Sequence, residues 1–373
     1  MQTDSARLAS LDVFRGLTIA AMLLVNNPGS WSFVYGPLRH AAWHGWTPTD
    51  LIFPFFLFIV GAAMAFSLRR HTEGGEPAGG AFWRRLFRRV ALLLALGLLL
   101  NGFPYYDLST IRIPGVLQRI GLVYAMAAPA VVFLRPGPRA AVAVAVAVLL
   151  AYWGLGVLVP VGGEAPALEP DRNLQRVVDL GVFGPEHLWG GSPTDPEGLL
   201  GTLPALVTCL LGYGAGVLLR DAGRSVRTAR TLAMRGLVLT SIGLVWGLVL
   251  PINKPLWTPS YVALTGGLAM VCLAACFWLV DLRGWRRWAR PAEVMGLNAI
   301  TAFVASGLGA RTLGLMKVGS EGGGIALKQW IYEWLVSLGL RGVDASLAFA
   351  VGTVVFWWAV VALMQRRGWV LKV

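Results

Sequence analysis

The chain has four histidines. One of them, His40, stands in a short aromatic-rich stretch between Asn26 and Asp50. An imidazole is the usual general base at neutral pH, and a nearby carboxylate can fix its tautomer. His44 lies on the next helical repeat from His40. A metal held by both imidazoles would need more ligands, of which Asp50 is the obvious one, and no metal is expected. Asn26 and Asp50 also read as ordinary helix caps. A second polar run, Arg112-Ile-Pro-Gly-Val-Leu-Gln118-Arg119, puts Gln118 and Arg119 inside an apolar segment. There they either line a polar cavity or pair structurally with a carboxylate. Asp195-Pro-Glu197-Gly198 and Pro251-Ile-Asn253-Lys254 add polar groups beside two further apolar segments. Asp12 and Arg15 sit at a spacing that allows an ion pair within one helix.

The elements that must position these groups are set by composition. Of 373 residues, 56% are hydrophobic and only 14% charged, with a mean hydropathy of +0.64. Soluble domains carry about 25% charged residues. The apolar residues cluster in runs of about 20, the length a helix needs to cross a bilayer. Disorder, a collagen-like repeat, a disulfide scaffold and an ordinary soluble α/β enzyme are excluded. The expected fold is an all-α, polytopic membrane helix bundle of about ten transmembrane helices. They fall over 9–26, 49–68, 87–102, 113–134, 140–160, 199–219, 232–252, 261–280, 292–310 and 345–365.

The net charge of +13 has a topological explanation that makes nucleic-acid binding unnecessary, because Lys and Arg accumulate in cytoplasmic loops. Alternating the spans puts Arg7, the arginines of 69–89, Arg135, Arg139, the 220–235 and 283–290 clusters, Arg366, Arg367 and Lys372 on one side. Arg39, Arg112, Arg172, Arg176, Lys254, Arg311, Lys317, Lys328 and Arg341 fall on the other, with Arg15 and Arg119 inside spans. Both termini are therefore expected in the cytoplasm, and His40 near the exoplasmic face. The run after Arg7 is interrupted by Asp12 and Arg15 and lacks a small-residue cleavage site, so it reads as a retained helix. Cys209, Cys272 and Cys276 lie in apolar spans and imply packing.

The whole of 1–373 reads as a single integral-membrane domain with exoplasmic loops at 27–48, 161–198 and 311–344. The second loop is rich in carboxylates. Within the third, the apolar spacing over 325–340 predicts a helix lying at the interface, anchored by Trp330 and Trp334. The Gly212–Gly216 spacing is a helix-packing signal.

Several of these segments together form a specific signature. RLASLDVFRGLTIAAMLLVNN and RHAAWHGWTPTDLIFPFFLFIVG (within 7–61), IRIPGVLQRIG (111–121), DPEGLLGTLPALVTCLLGYGAG (195–216), PINKPLWTPSYV (251–262) and GLNAI (296–300, with Asn298) resemble the heparan-α-glucosaminide N-acetyltransferase family over essentially the whole chain. The extra N-terminal helix and luminal domain of the family's lysosomal member are not in this sequence. It therefore resembles a bacterial, transmembrane-core version seated in the cytoplasmic (inner) membrane.

The resemblance implies an acyl-CoA-dependent N-acetyltransferase that moves an acetyl group from cytoplasmic acetyl-CoA to the amine of a glucosamine-type amino sugar on the exoplasmic side. The family's catalytic histidine falls on His40 and its polar neighbours on Asn26 and Asp50. His40 is then a general base oriented by Asp50, or a transient acyl carrier. Asn26, Gln118 and Arg119 are candidate donors to the developing oxyanion, with Arg112 at the exoplasmic mouth. Glu197, Asn253 and Lys254 are candidate acceptor contacts, and Arg287 and Lys372 candidate phosphate contacts for coenzyme A. The lysosomal member carries Asn at the position of His44, so no chemistry is expected of His44. A homodimer is also implied. Two other readings keep the same polar residues. One is an O-acetyltransferase acting on a cell-envelope polysaccharide. The other is a transporter of amino sugars or lipid-linked precursors, which the lack of a conspicuously broken span disfavours.

Overall fold

The computed structural model describes residues 8–73, 75–134, 138–319 and 324–369. Fourteen helices account for most of it: α1 (Ala9–Asn26), α2 (Ile52–Ser67), α3 (Arg69–Thr72), α4 (Gly80–Gly102), α5 (Val116–Pro129), α6 (Pro138–Leu158), α7 (Leu174–Phe183), α8 (Thr202–Asp221), α9 (Val226–Trp246), α10 (Pro259–Cys276), α11 (Arg290–Leu297), α12 (Ala299–Leu315), α13 (Leu327–Ser337) and α14 (Gly342–Arg366). The strands among the described residues are the antiparallel pair β1 (Lys317–Val318) and β2 (Ile325–Ala326). The chain is an all-α polytopic helix bundle.

Among the described residues, seven helices are long and apolar enough to cross a membrane, or up to eight if α11 and α12 count as one span. The expected span at 87–102 lies in α4, and the one at 232–252 overlaps α9, which ends at Trp246. These helices fall short because their N-terminal halves carry Arg84, Arg85, Arg88 and Arg89, and Arg227, Arg230 and Arg235. α6 and α14 are among the most apolar helices and bury little of their length within the protein. Lipid would solvate such faces, since helices satisfy their own backbone hydrogen bonds. The 292–310 segment is not one straight span. α11 and α12 meet at 81°, with Asn298 at the break. The pair is either a broken span or a re-entrant loop, a feature that hydropathy along the sequence did not show.

Two compact units emerge. The first comprises Met1–Ala41, Thr47–Ile52 and Leu279–Val373, with α1 and α11–α14. Here α1 lies directly on α11: a Cβ on Gly16 would sit 1.7 Å from the Ala292 carbonyl oxygen, and one on Gly296 2.0 Å from that of Asp12. Only glycine permits such an approach. Arg15 donates to Asp12 Oδ1 at 3.0 Å and to the Gly296 carbonyl at 3.3 Å, so the expected intrahelical pair also ties α1 to α11. α13 begins and ends close to where the 325–340 periodicity places it, with Trp330 and Trp334 exposed.

The second unit comprises Ala42–Trp46 and Phe53–Trp278, with α2, from Phe53 onward, to α10. A Cβ on Gly212 of α8 would lie 1.9 Å from the Phe58 carbonyl oxygen of α2, and one on Gly216 2.5 Å from that of Ala62. This is the helix packing that the Gly212–Gly216 spacing implied. The 161–198 loop carries α7, whose N-cap Asn173 accepts the Arg176 N–H at 2.8 Å. The buried Gln175 donates to the carbonyls of Asp195 and Pro255 at 2.9 and 3.0 Å. Asp179 Oδ1 accepts the Leu199 N–H at 2.8 Å. These bonds pin the loop to the approach to α8 and the turn before α10.

Candidate functional site

In the first unit, Thr47-Pro-Thr-Asp50 forms a capping box at a short 3-10 turn leading into α2, with a proline in its first positions. The cap fixes Asp50 so firmly that the residue is 1% exposed. Asp50 Oδ2 accepts the backbone N–H groups of Ala41 and Thr47, each at 3.0 Å. Asp50 Oδ1 lies 2.6 Å from His40 Nδ1. An ionised Asp50 is acceptor-only, so opposite it His40 Nδ1 carries the proton and donates it, and Nε2 carries the lone pair. Thr47 Oγ1 also donates to the Arg39 carbonyl at 2.6 Å, and Thr49 Oγ1 to that of Pro37 at 3.1 Å. The loop is thus stitched on both sides of the imidazole. The His40 side chain is 51% exposed, so a substrate can reach a ring whose orientation is fixed from the buried side. This is the geometry a general base needs.

Asn26 closes α1 with its side chain exposed, and no hydrogen bond joins it to His40 or Asp50 among the described residues. The neighbouring Asn27 is the one that turns inward, donating to the Leu23 carbonyl at 2.7 Å. Asn298 is 1% exposed at the α11–α12 break and donates to the Trp369 carbonyl at 3.4 Å. Arg287 is exposed on the segment before α11. Lys372 lies outside the described residues.

In the second unit, Arg112 forks onto Asp195, Nε to Oδ2 at 2.9 Å and Nη2 to Oδ1 at 2.6 Å, and reaches Glu197 Oε2 at 2.5 Å. Its guanidinium also lies over Trp189. Burial works against the Arg112 charge, but the hydrogen bond to Asp195 and the Glu197 carboxylate outweigh it and raise its pKa above the ordinary range. Arg112 and Glu197 are therefore turned toward each other. Gln118 packs against Gly97 of α4 and Gly115, where a Cβ would lie 2.2 and 2.6 Å from its Oε1. Arg119 is 1% exposed, donates to the Gly198 carbonyl at 2.6 Å and sits 5.1 Å above the Trp257 ring. Among the described residues its Nε and Nη1 have no hydrogen-bond partner. Asn253 is fully buried and donates to the Trp43 carbonyl at 3.0 Å, and Lys254 is half-buried beside it.

The structure thus brings His40 and Asp50 together, and separately Arg112 and Glu197. Sequence reasoning passed over Thr47, whose T-x-x-D spacing before an apolar run is the legible mark of the capping box. It passed over Asp179 and Gln175 as well, which carry no short-range signal. Among the described residues no three His, Cys, Asp or Glu side chains converge as a metal would require.

Fold and site together describe a polytopic helical membrane protein with a carboxylate-oriented histidine in the loop between its first two long helices. The comparisons add a relationship. Residues 7–168 match the family model described as heparan-alpha-glucosaminide N-acetyltransferase, catalytic. That region holds Asn26, His40, Asp50, Arg112, Gln118 and Arg119. The chain is 29% identical to the human heparan-alpha-glucosaminide N-acetyltransferase over 80% of its own length and 52% of that protein. It is 28% identical to the mouse protein of the same name, over 81% and 54%. The resemblance read from the motifs is borne out: the chain is similar to these enzymes over most of its own length. It spans about half the length of the curated relatives it matches.

Proposed function

We propose that the chain is a transmembrane acetyltransferase that takes the acetyl group of cytoplasmic acetyl-CoA and delivers it to the amine of a glucosamine-type sugar on the exoplasmic side. The observation that carries this reading is the His40–Asp50 pair, with its 2.6 Å hydrogen bond and a tautomer set by a buried, capped carboxylate. The similarity to N-acetyltransferases supplies the reaction class.

In this mechanism the sugar amine attacks the thioester carbonyl, and His40 Nε2 accepts the amine proton. Base catalysis of this kind supplies roughly 10²–10⁴-fold. The imidazolium that forms is stabilised through Nδ1 by Asp50. As the tetrahedral intermediate collapses, the C–S bond breaks and the proton passes to the departing sulfur. The products are the N-acetyl sugar and coenzyme A with a free thiol. Asn26, exposed at the end of α1, is the candidate oxyanion donor in the same unit. The buried Arg112–Asp195–Glu197 cluster suits a structural role better than a direct contact with either substrate. Arg287, with Arg286 and Arg290 exposed on the same segment, is the candidate phosphate contact for coenzyme A.

Transport is a second reading, favoured by the α11–α12 break at a buried asparagine, because broken helices often build substrate sites in transporters. One experiment separates the two. Purified protein in detergent is given acetyl-CoA with and without glucosamine, and thiol release is followed beside His40→Ala. Glucosamine-dependent release that disappears in the variant is the expected result. A wild-type protein that neither releases thiol nor binds acetyl-CoA sinks the acetyltransferase reading.

A further inference from the structure

The arginines at the start of α4 divide into two pairs. Arg85 and Arg89 turn onto the protein. Arg85 Nε donates to the Ala81 carbonyl at 3.2 Å and its Nη2 faces Nε2 of the buried His71 at 3.4 Å, while the Arg89 guanidinium lies 4.3 Å from the centroid of the Tyr124 ring. Arg84 and Arg88, one helical turn apart, are exposed, and no carboxylate among the described residues pairs with either. Glu73, at the end of α3, is taken by Arg69 and Arg220, and Asp221 by Arg220. Beside Arg84 and Arg88 runs an aromatic shelf. Trp83 stacks on Phe87 with centroids 5.7 Å apart and on Phe133 at 5.8 Å. The buried Phe82 meets Trp83 and Phe133 edge-on and backs the shelf. Phe87 and Phe133 are nevertheless 62% and 55% exposed. The face that carries Arg84 and Arg88 continues along α4 as Ala91, Ala95, Leu98 and Leu99, all exposed, at the spacing that keeps residues on one side of a helix. About 16 Å of helix separates Arg88 from Leu99, close to the depth of one leaflet's hydrocarbon, roughly 15 Å. All of these groups belong to the second unit.

We propose that this face of α4, with Trp83, Phe87 and Phe133, is a binding site for an anionic phospholipid. Arg84 and Arg88 take the phosphate, since a guanidinium fork matches phosphate oxygens. The aromatic shelf lies at the level where rings settle between headgroups and hydrocarbon. An acyl chain runs down the small and apolar residues from Ala91 to Leu99. A free phosphate would satisfy the arginines and leave that apolar face without a partner, so the occupant is a lipid. The charge of the pair selects a headgroup with net negative charge over a zwitterionic one. This contact does not depend on the acetyltransferase reading.

Fluorescent phosphatidylglycerol is titrated into the purified full chain in neutral detergent. It is then displaced with unlabelled dioleoyl phosphatidylglycerol, dioleoyl phosphatidylcholine or inorganic phosphate. Unlabelled phosphatidylglycerol should displace the probe, phosphatidylcholine should be about tenfold weaker, and phosphate should not compete. Arg84→Gln with Arg88→Gln should weaken binding about 30-fold, at roughly fivefold for each arginine near an anionic headgroup. Trp83→Ala, which removes the middle ring of the shelf, should weaken it about three- to tenfold. Arg227→Gln with Arg230→Gln removes the same charge from two equally exposed arginines of α9, a helix with no aromatic residue before Trp246. That variant should stay within about twofold of wild type. Equal losses in the two double variants would mean that net charge alone attracts the lipid, and would overturn the site. Phosphatidylcholine competing as well as phosphatidylglycerol, or phosphate displacing the probe, overturns it too. The competition arms use wild-type protein, so they decide the question even where a variant fails to fold.

Discussion

A carboxylate beside a histidine acts mainly through which nitrogen it leaves basic, and at His40 that choice is made by Asp50. Asp50→Asn preserves size but presents an amide where Nδ1 needs a full acceptor, so the ring gains freedom to adopt the wrong tautomer. The expected loss in kcat is roughly 10²–10⁴-fold, read by thiol release across pH 6–9, with CoA binding unchanged. Residual activity close to wild type would mean that Asp50 is only a helix cap. Arg112 belongs to a different class of residue, because its partners are two carboxylates. Removing one member of a buried charge cluster strands the others, at a cost of about 3–5 kcal/mol. Arg112→Ala should therefore lower the unfolding midpoint in detergent sharply. Arg112→Lys should recover only part of it, since an ammonium cannot fork across Asp195. A variant that melts like wild type but loses acceptor affinity would return Arg112 to the substrate contacts.

At the scale of elements, contacts between helices and the docking of the 161–198 loop decide what can change. Gly212→Leu would drive a side chain into the α2 backbone, where even a Cβ lies 1.9 Å from the Phe58 carbonyl oxygen. Overpacking of this kind costs about 1–3 kcal/mol or more, measurable as a drop in detergent-solubilised melting temperature. Gly214 of the same helix has no atom within 4 Å of its Cβ position, so Gly214→Ala should be close to neutral.

The docking of α7 carries a pH signature. Burial pushes the Asp179 carboxyl up to about 6, with the Leu199 N–H opposing the shift and the Asp195 charge assisting it. The folded-state pKa is therefore above the ordinary 3.8. The protonated form is favoured on folding, so stability is fullest below about pH 4 and is lost as pH rises through 6. The loss is on the order of 3 kcal/mol, at 1.36 kcal/mol per unit. Asp179→Asn should raise the melting temperature at pH 7 and flatten its change between pH 4 and 7. A pH response identical to wild type would refute the assignment.

For the whole molecule, the charge distribution makes a topological prediction. With both termini in the cytoplasm, a cysteine at Ser32 should react with an impermeant maleimide added to intact cells. One at Arg287 should react only after permeabilisation. Both positions are exposed. Labelling of the Arg287 position but not of Ser32 from outside would reverse the proposed sidedness of donor and acceptor.

What the sequence determined by itself follows from local physics. Apolar runs of bilayer length dictate membrane helices, and the Gly212–Gly216 spacing announces a close helix contact. The T-x-x-D spacing ahead of α2 was enough to cap it, and the residue types around His40 were enough to suspect a base. Tertiary structure decided the rest. Residues distant in sequence choose each partner: Asp195 and Glu197 for Arg112, Gly198 for Arg119, and Trp43 for the Asn253 amide. The break at Asn298 was invisible because α11 and α12 taken together still have the length and hydropathy of one span. Hydropathy measures the preference of a segment for lipid, and a bend of 81° leaves that preference unchanged. A hydrogen bond depends on where two atoms meet, and only the folded chain sets that.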